Sequence, residues 1–133
     1  MRAGVAPLVA LALAGCAAQT GPAEPVAFAD PAEQVIAAER GFSALAETAG
    51  QWTAFRATAH PNALLFTPRP VRAHELLAGR ADPPRSVRWW PAKVAVSCDG
   101  TTAVSTGGAI WPDGSGSRFT TIWQRQADGR WQW

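Results

Sequence analysis

The chain is short of amines and phenols. Its 133 residues contain one lysine, Lys93, and no tyrosine, so eleven of its twelve Lys and Arg residues are arginine. The basic residues are dispersed and the formal net charge is only +2. A solvated, patchless charge pattern of this kind excludes a nucleic-acid-binding stripe. Cysteine is scarce too, with only Cys16 and Cys98, which excludes a disulfide framework. There is no glycine-rich phosphate loop and no nucleophile elbow. The two histidines, His60 and His74, lack metal-ligand spacing and have no third partner, so neither a metal nor a cofactor is expected. No apolar run is long enough to span a bilayer as a stable helix.

The start of the chain reads as an address. Met1-Arg2 supplies a minimal positive region and Val5 to Ala14 a short apolar one. Leu13-Ala14-Gly15-Cys16 resembles a bacterial lipoprotein signal. That resemblance implies a signal peptide over 1–15, cleavage before Cys16, and acylation of Cys16. It places the protein in the cell envelope, membrane-anchored and facing the periplasm or the cell exterior. Several acyl chains on one residue anchor firmly, since each buried CH₂ adds roughly 0.8 kcal/mol. With Cys16 lipidated, Cys98 has no intramolecular partner and reads as a small strand residue before a turn. Residues 16–29 are a lipidated cysteine and a flexible tether, and residues 30–133 a single domain.

Within that domain, Asp30-Pro31-Ala32-Glu33 is a helix start: an N-cap, a proline at the first position and a glutamate three after the cap. Val35, Ile36, Phe42, Leu45, Ala46 and Ala49 form a helical stripe, which Gly50 ends. A second helix covers Gln51 to Thr58 and carries Trp52 and Phe55. Ala63 to Thr67 predicts a short buried strand, Pro68 and Pro70 bracket a turn, and Val71 to Ala78 predicts a third helix. From Val87 onward the pattern is β. Asp99, Asp113 and Asp128 each precede a glycine at a turn. Gly107-Gly108 marks a bulge or bend in the strand from Thr102 to Trp111. Helices first and a meander afterwards predict an α+β fold, with helices on one face of a curved antiparallel sheet.

The landmarks "AERGFSALAETAG", "WTAFRATAHPNALLFTPRP", "LLAGRADPP", "VRWWPAKVAVSCDG" and "FTTIWQRQADGRWQW" occur in an order that resembles the nuclear transport factor two-like superfamily. The likeness is to its SnoaL-like and ketosteroid-isomerase-like bacterial members, over about Asp30 to Trp133. The resemblance implies a cystatin-like cone: a curled sheet whose concave face carries three N-terminal helices and encloses a cavity. Relatives usually run on through a longer final strand, so by this resemblance either the sequence is truncated after Trp133 or its last strand is unusually short.

Three functions follow from the resemblance and the residues together. Seven tryptophans predict an aromatic-lined cavity for a small apolar ligand, with Trp52, Phe55, Trp90, Trp111, Phe119 and Trp123 as its lining. The alternative is an isomerase, dehydratase or cyclase using His60 as base, at the turn where relatives often carry an acidic pair. The third is a dimerising module using the exposed sheet face. The glutamates Glu33, Glu39, Glu47 and Glu75 fall on helices, and none is expected at an inward strand position.

One dipeptide poses a geometric question. Adjacent strand residues face opposite ways, so Trp89 and Trp90 cannot share a wall. Trp90 has the parity of Val94, Val96 and Cys98, which predicts Trp90 inward if the strand is unbroken. A bulge at Pro91 would reverse the pair.

Overall fold

A computed structural model describes residues 29–133. The signal segment, Cys16 and the tether up to residue 28 lie outside the described residues.

Helix α1 runs Pro31–Ala49. Its start is set as the sequence predicts, with the Asp30 carboxylate accepting the Ala32 N–H at 2.9 Å and proline at the first turn. Its buried stripe is Val35, Glu39, Phe42, Ser43 and Ala46, spaced by three and four residues. Gly50 takes a φ of 110°, which separates α1 from α2, Gln51–Thr58. The α2 N-terminus is capped from a distance: Asp82 accepts the N–H groups of Trp52 and Thr53 at 2.5 and 3.0 Å and the Thr53 hydroxyl at 2.6 Å.

The next stretch departs from the sequence expectation. Strand β1, Leu64–Phe66, pairs antiparallel with β2, Pro70–Arg72, where a turn was expected. Helix α3 consequently covers only Ala73–Leu77. Val71 lies opposite Leu65, and strand pairing there competes with the helix that its apolar spacing favours. Proline is tolerated because β2 is an edge strand. The β1 segment is not buried: Leu64 and Phe66 are exposed, because this two-stranded piece stands apart from the main sheet.

The main sheet is antiparallel in the order β3 (Arg88–Val96), β4 (Thr102–Ile110), β5 (Gly116–Arg125) and β6 (Trp131–Gln132). Helix α1 lies across β3 and β4, α2 packs on α1, and α3 packs on α2 and β2. The fold is therefore α+β, with helices against a curved antiparallel sheet. Only α1 covers the strands broadly; the expectation of three helices side by side on the sheet gives way to a stack built outward from α1. Cys98 is likewise not a strand residue. It lies exposed in the β3–β4 turn, where Asp99 accepts the Thr101 N–H at 3.1 Å.

The sheet's parity turns on one residue. Pro91 pairs with Gly107 and Lys93 with Thr106, leaving Ala92 as an extra residue, a bulge in β3. The bulge expected in β4 at Gly107-Gly108 is thus in the partner strand, and the glycines accommodate it. A Cβ on Gly107 would overlap the Trp90 carbonyl oxygen, and one on Gly108 would sit 3.0 Å from the Trp90 ring. Before the bulge, Trp89 faces inward with Ala109; after it, Val94 and Val96 face inward with Ser105 and Ala103. Trp89 is 6% exposed and Trp90 48%. The expectation of Trp90 inward assumed unbroken alternation, and the inserted residue overturns it.

Rings fill the space between α1, α2 and the sheet. Phe42 meets Trp89 and Phe55 edge to face, both at 4.8 Å between centroids, and stacks on Trp133 at 6.1 Å. Such pairs add about 0.5–1.5 kcal/mol each beyond the area they bury. Trp133 is tied down as well: its N–H reaches the Thr58 carbonyl at 3.3 Å, its carbonyl accepts the His60 N–H at 2.7 Å, and its indole N–H reaches the Thr58 hydroxyl at 2.8 Å.

Candidate functional site

Two arrangements stand out on the inner side of the sheet: a buried carboxylate and an open cavity beside it.

Glu39 is 0% exposed. It sits in the middle of the apolar stripe of α1, so the helix carries it onto the sheet rather than into water. Oε1 accepts the Trp89 indole N–H at 2.6 Å and the Thr121 hydroxyl at 3.4 Å. Oε2 accepts the Trp123 indole N–H at 2.8 Å and the Ser105 hydroxyl. Ser105, Thr121 and Trp123 are inward positions of β4 and β5, paired as Ser105–Thr121 and Ala103–Trp123. Ser43, one turn on from Glu39, receives the Trp89 backbone N–H at 3.2 Å. A buried carboxylate is costly unless every lone pair is used. Here four neutral donors from three strands use them, and no cation is among the partners.

The sequence reading passed over Glu39 as one more helix glutamate. The signal was present in its spacing. Glu39 is four residues after Val35 and three before Phe42, on the stripe itself and not opposite it.

The cavity, of about 1060 Å³, lies between α2, the β1 and α3 segments, and β5. Its wall is mostly apolar, built from Trp52 and Phe55 of α2, Leu65 and Phe66 of β1, Leu77 of α3, and Phe119 of β5. Trp89, Ala109 and Val87 form its base against the sheet. Strand β6 pairs only with Gln124 and Arg125. Among the described residues, the stretch from Ser117 to Trp123 therefore has β4 on one side and no strand on the other. The cavity opens over that edge, which explains why inward Phe119 and Thr121 and outward Arg118, Thr120 and Ile122 all line it.

Of the residues expected to line the cavity, Trp52, Phe55, Trp111 and Phe119 do so, and His60 sits at its border. Trp90 and Trp123 do not. Trp90 is on the outer face, just before the bulge. Trp123 points inward as its parity predicts, but α1 covers it and its indole N–H is spent on Glu39. Trp89, Trp133 and Leu77 are cavity residues that the sequence reading did not name. Trp89 was misassigned by phase, and the place of Trp133 depends on its bonds to Thr58 and His60, far away in sequence.

His60 Nδ1 accepts the Asn62 N–H at 3.0 Å, so the neutral ring carries its proton on Nε2. Among the described residues no aspartate or glutamate lines the cavity, so none of their carboxylate side chains partners His60 there. Among the described residues no cluster of three or more His, Cys, Asp or Glu could hold a metal. The aspartates with altered acidity are structural. Hydrogen bonds from Thr53 hold the Asp82 carboxyl below its ordinary range. Bonds from Ser97 and Thr101 do the same for Asp99, from Ser115 for Asp113, and from Arg130 for Asp128.

A smaller concavity of about 440 Å³ lies at the other end of β4, between Glu47, Arg85, Arg88 and Trp111. It is shallow, and Arg85 there donates to the Pro112 carbonyl at 2.8 Å.

No protein-family model matches this chain, and no curated protein matches it either.

Proposed function

We propose that the domain binds a small, largely apolar molecule in the cavity between α2, β1 and β5. The observation that carries this is the cavity's make-up: a space of about 1060 Å³ with aromatic and aliphatic side chains on three sides. Ligand sites are characteristically concave, apolar and largely pre-formed. The α+β order and the inward tryptophans fit a cone-shaped member of the nuclear transport factor two-like superfamily. In that reading Cys16 carries the lipid anchor and the cavity works at the surface of a bacterial envelope membrane.

The test is a titration with the neutral fluorophore N-phenyl-1-naphthylamine, whose emission rises in apolar surroundings. Saturable binding is expected, and Phe119→Arg, which puts a charge on the wall, should weaken it at least ~10-fold, a loss of about 1.4 kcal/mol. Circular dichroism verifies that the variant is folded. No saturable binding up to the solubility limit of the fluorophore would overturn the proposal.

A second reading, a homodimer through the outer face of the sheet, is favoured by a separate observation. That face presents Trp90 at 48%, Val104 at 39%, Ile110 at 37% and Ile122 at 63% exposure. Val104 and Ile122 are direct cross-strand neighbours, and exposed apolar residues grouped on a sheet mark an interaction surface. The two readings meet only at the β5 edge, where Ile122 also lines the cavity, and are compatible. Sedimentation of the wild type and of Val104→Arg, which is outside the cavity lining, tests it: a dimer converted to monomer supports the reading, and a wild-type monomer at all concentrations ends it.

A further inference from the structure

The cavity is apolar but not neutral. Among the described residues, the formally charged side chains that line it are Arg80 and Arg118, joined by His60 at its border, and no carboxylate side chain lines it. Both arginines are exposed, so they stand at the rim while the rings lie deeper.

Neither arginine is neutralised by contact. The ion pairs among the described residues involve Arg72 with Glu75 and Arg130 with Asp128. The acid closest in sequence to Arg80 is Asp82, whose oxygens are taken up by Trp52 and Thr53 at the start of α2. The Arg80 guanidinium instead lies over the Trp52 ring, 4.2 Å from its centroid. Stacking on an indole holds the planar group in place and leaves its N–H fork free for a two-oxygen acceptor. His60 adds a further donor, because its Nδ1 is occupied by Asn62 and Nε2 is not.

From this charge pattern we infer that the ligand is an amphipathic anion, an alkyl or aryl carboxylate. Its apolar body lies on Phe55, Trp89, Phe119 and Trp133, and its carboxylate lies at the rim toward Arg80 and Arg118. A cationic head group would meet two arginines and no acid. A neutral one would gain no charge-assisted hydrogen bond. The inference rests on the cavity-binding proposal above and deepens it by naming the head group.

Three molecules with the same chain and different heads separate the two claims: dodecanoate, dodecanol and dodecylamine. Each is titrated into the full chain below its critical micelle concentration, following tryptophan emission and displacement of N-phenyl-1-naphthylamine. Dodecanoate should bind about 5- to 10-fold tighter than dodecanol, since each exposed ion pair supplies at most a modest gain. Dodecylamine should bind weakest. The advantage of dodecanoate should shrink at high salt. It should vanish in the double variant Arg80→Gln/Arg118→Gln, whose affinities for dodecanoate and dodecanol converge. Equal binding of the acid and the alcohol by the wild type overturns the anion inference and leaves the cavity reading standing. So does an advantage that survives the double substitution. If none of the three binds or displaces the fluorophore, both claims fall.

Discussion

The indole N–H of Trp89 donates to Glu39 Oε1 at 2.6 Å, joining β3 to the middle of α1 across fifty residues of sequence. Trp123 does the same to Oε2 from β5 at 2.8 Å. One carboxylate thus clasps both outer long strands of the sheet to the helix. The same two tryptophans differ in what else they do: Trp89 also forms the base of the cavity, while Trp123 is sealed beneath α1.

Replacing Glu39 tests the clasp. Donors approach both of its oxygens, so Glu39→Gln must turn an NH₂ toward donors on one side. The variant should lose about 2–4 kcal/mol of stability, the range for hydrogen bonds to a buried charged group and the unpaired donors left behind. Urea unfolding of wild type and variant gives the number. A loss below ~0.5 kcal/mol, the size of an ordinary surface change, would show that the four bonds do not hold the helix.

The bulge makes a prediction through glycine. In Gly107→Ala the new methyl meets the Trp90 carbonyl, a backbone atom that cannot step aside, and about 1–3 kcal/mol or more should be lost. In Gly108→Ala the methyl meets only the Trp90 ring, 3.0 Å away on the exposed outer face, and the ring can turn. The second substitution should cost clearly less than the first in the same urea experiment; equal costs would contradict the placement of the bulge.

Acid should weaken the fold through its turns. Asp82, Asp99, Asp113 and Asp128 all have carboxyls held below their ordinary value of 3.8 by hydrogen bonds. A depressed folded-state pKa stabilises at pH values above the unfolded one, and that stability is lost as the pH falls through the folded value. The urea midpoint should therefore be flat near neutrality and fall as the pH is lowered from about 5 toward 3. In Asp82→Asn, which cannot ionise, the fall should be shallower.

Trp133 offers a different check. It stacks on Phe42 and is bonded three times to the Thr58–His60 segment. Trp133→Ala should cost about 3–5 kcal/mol, the range for removing a large packed aromatic side chain. It should also free the border of the cavity, raising hydrogen exchange at the His60 amide, whose acceptor is the Trp133 carbonyl. An unchanged His60 exchange rate would mean that the side chain does not hold that bond.

Much of the architecture is readable from local signals. The caps of α1, the break at Gly50, the extent of α2 and the aspartate-glycine turns follow from chemistry within four residues of each site. What is hidden depends on partners far along the chain. Strand β2 exists because Val71 finds Leu65, and nothing in Pro70–Arg72 announces it. The inward face of Trp89 depends on where one unpaired residue falls. The cavity depends on β1, α3 and β5 meeting, so parity alone does not define its lining: Phe119 and Trp123 both point inward, yet only Phe119 reaches the cavity. Glu39 is an intermediate case: its position was legible in the helical stripe, but its four donors lie on three later strands.

The bulge at Ala92 gives the Trp89-Trp90 pair a meaning beyond packing. Drawing Ala92 into regular pairing opposite Gly107 would restore strict alternation along the whole strand, and the strand could then keep Val94 and Val96 inward only by turning its first half over. Trp90 would move to the inner face and Trp89 to the outer. Either phase presents an indole to Glu39, because the two neighbours are the same residue. The doubled tryptophan is thus a form of error tolerance: a one-residue slip in this strand exchanges which ring is buried without emptying the place opposite the carboxylate.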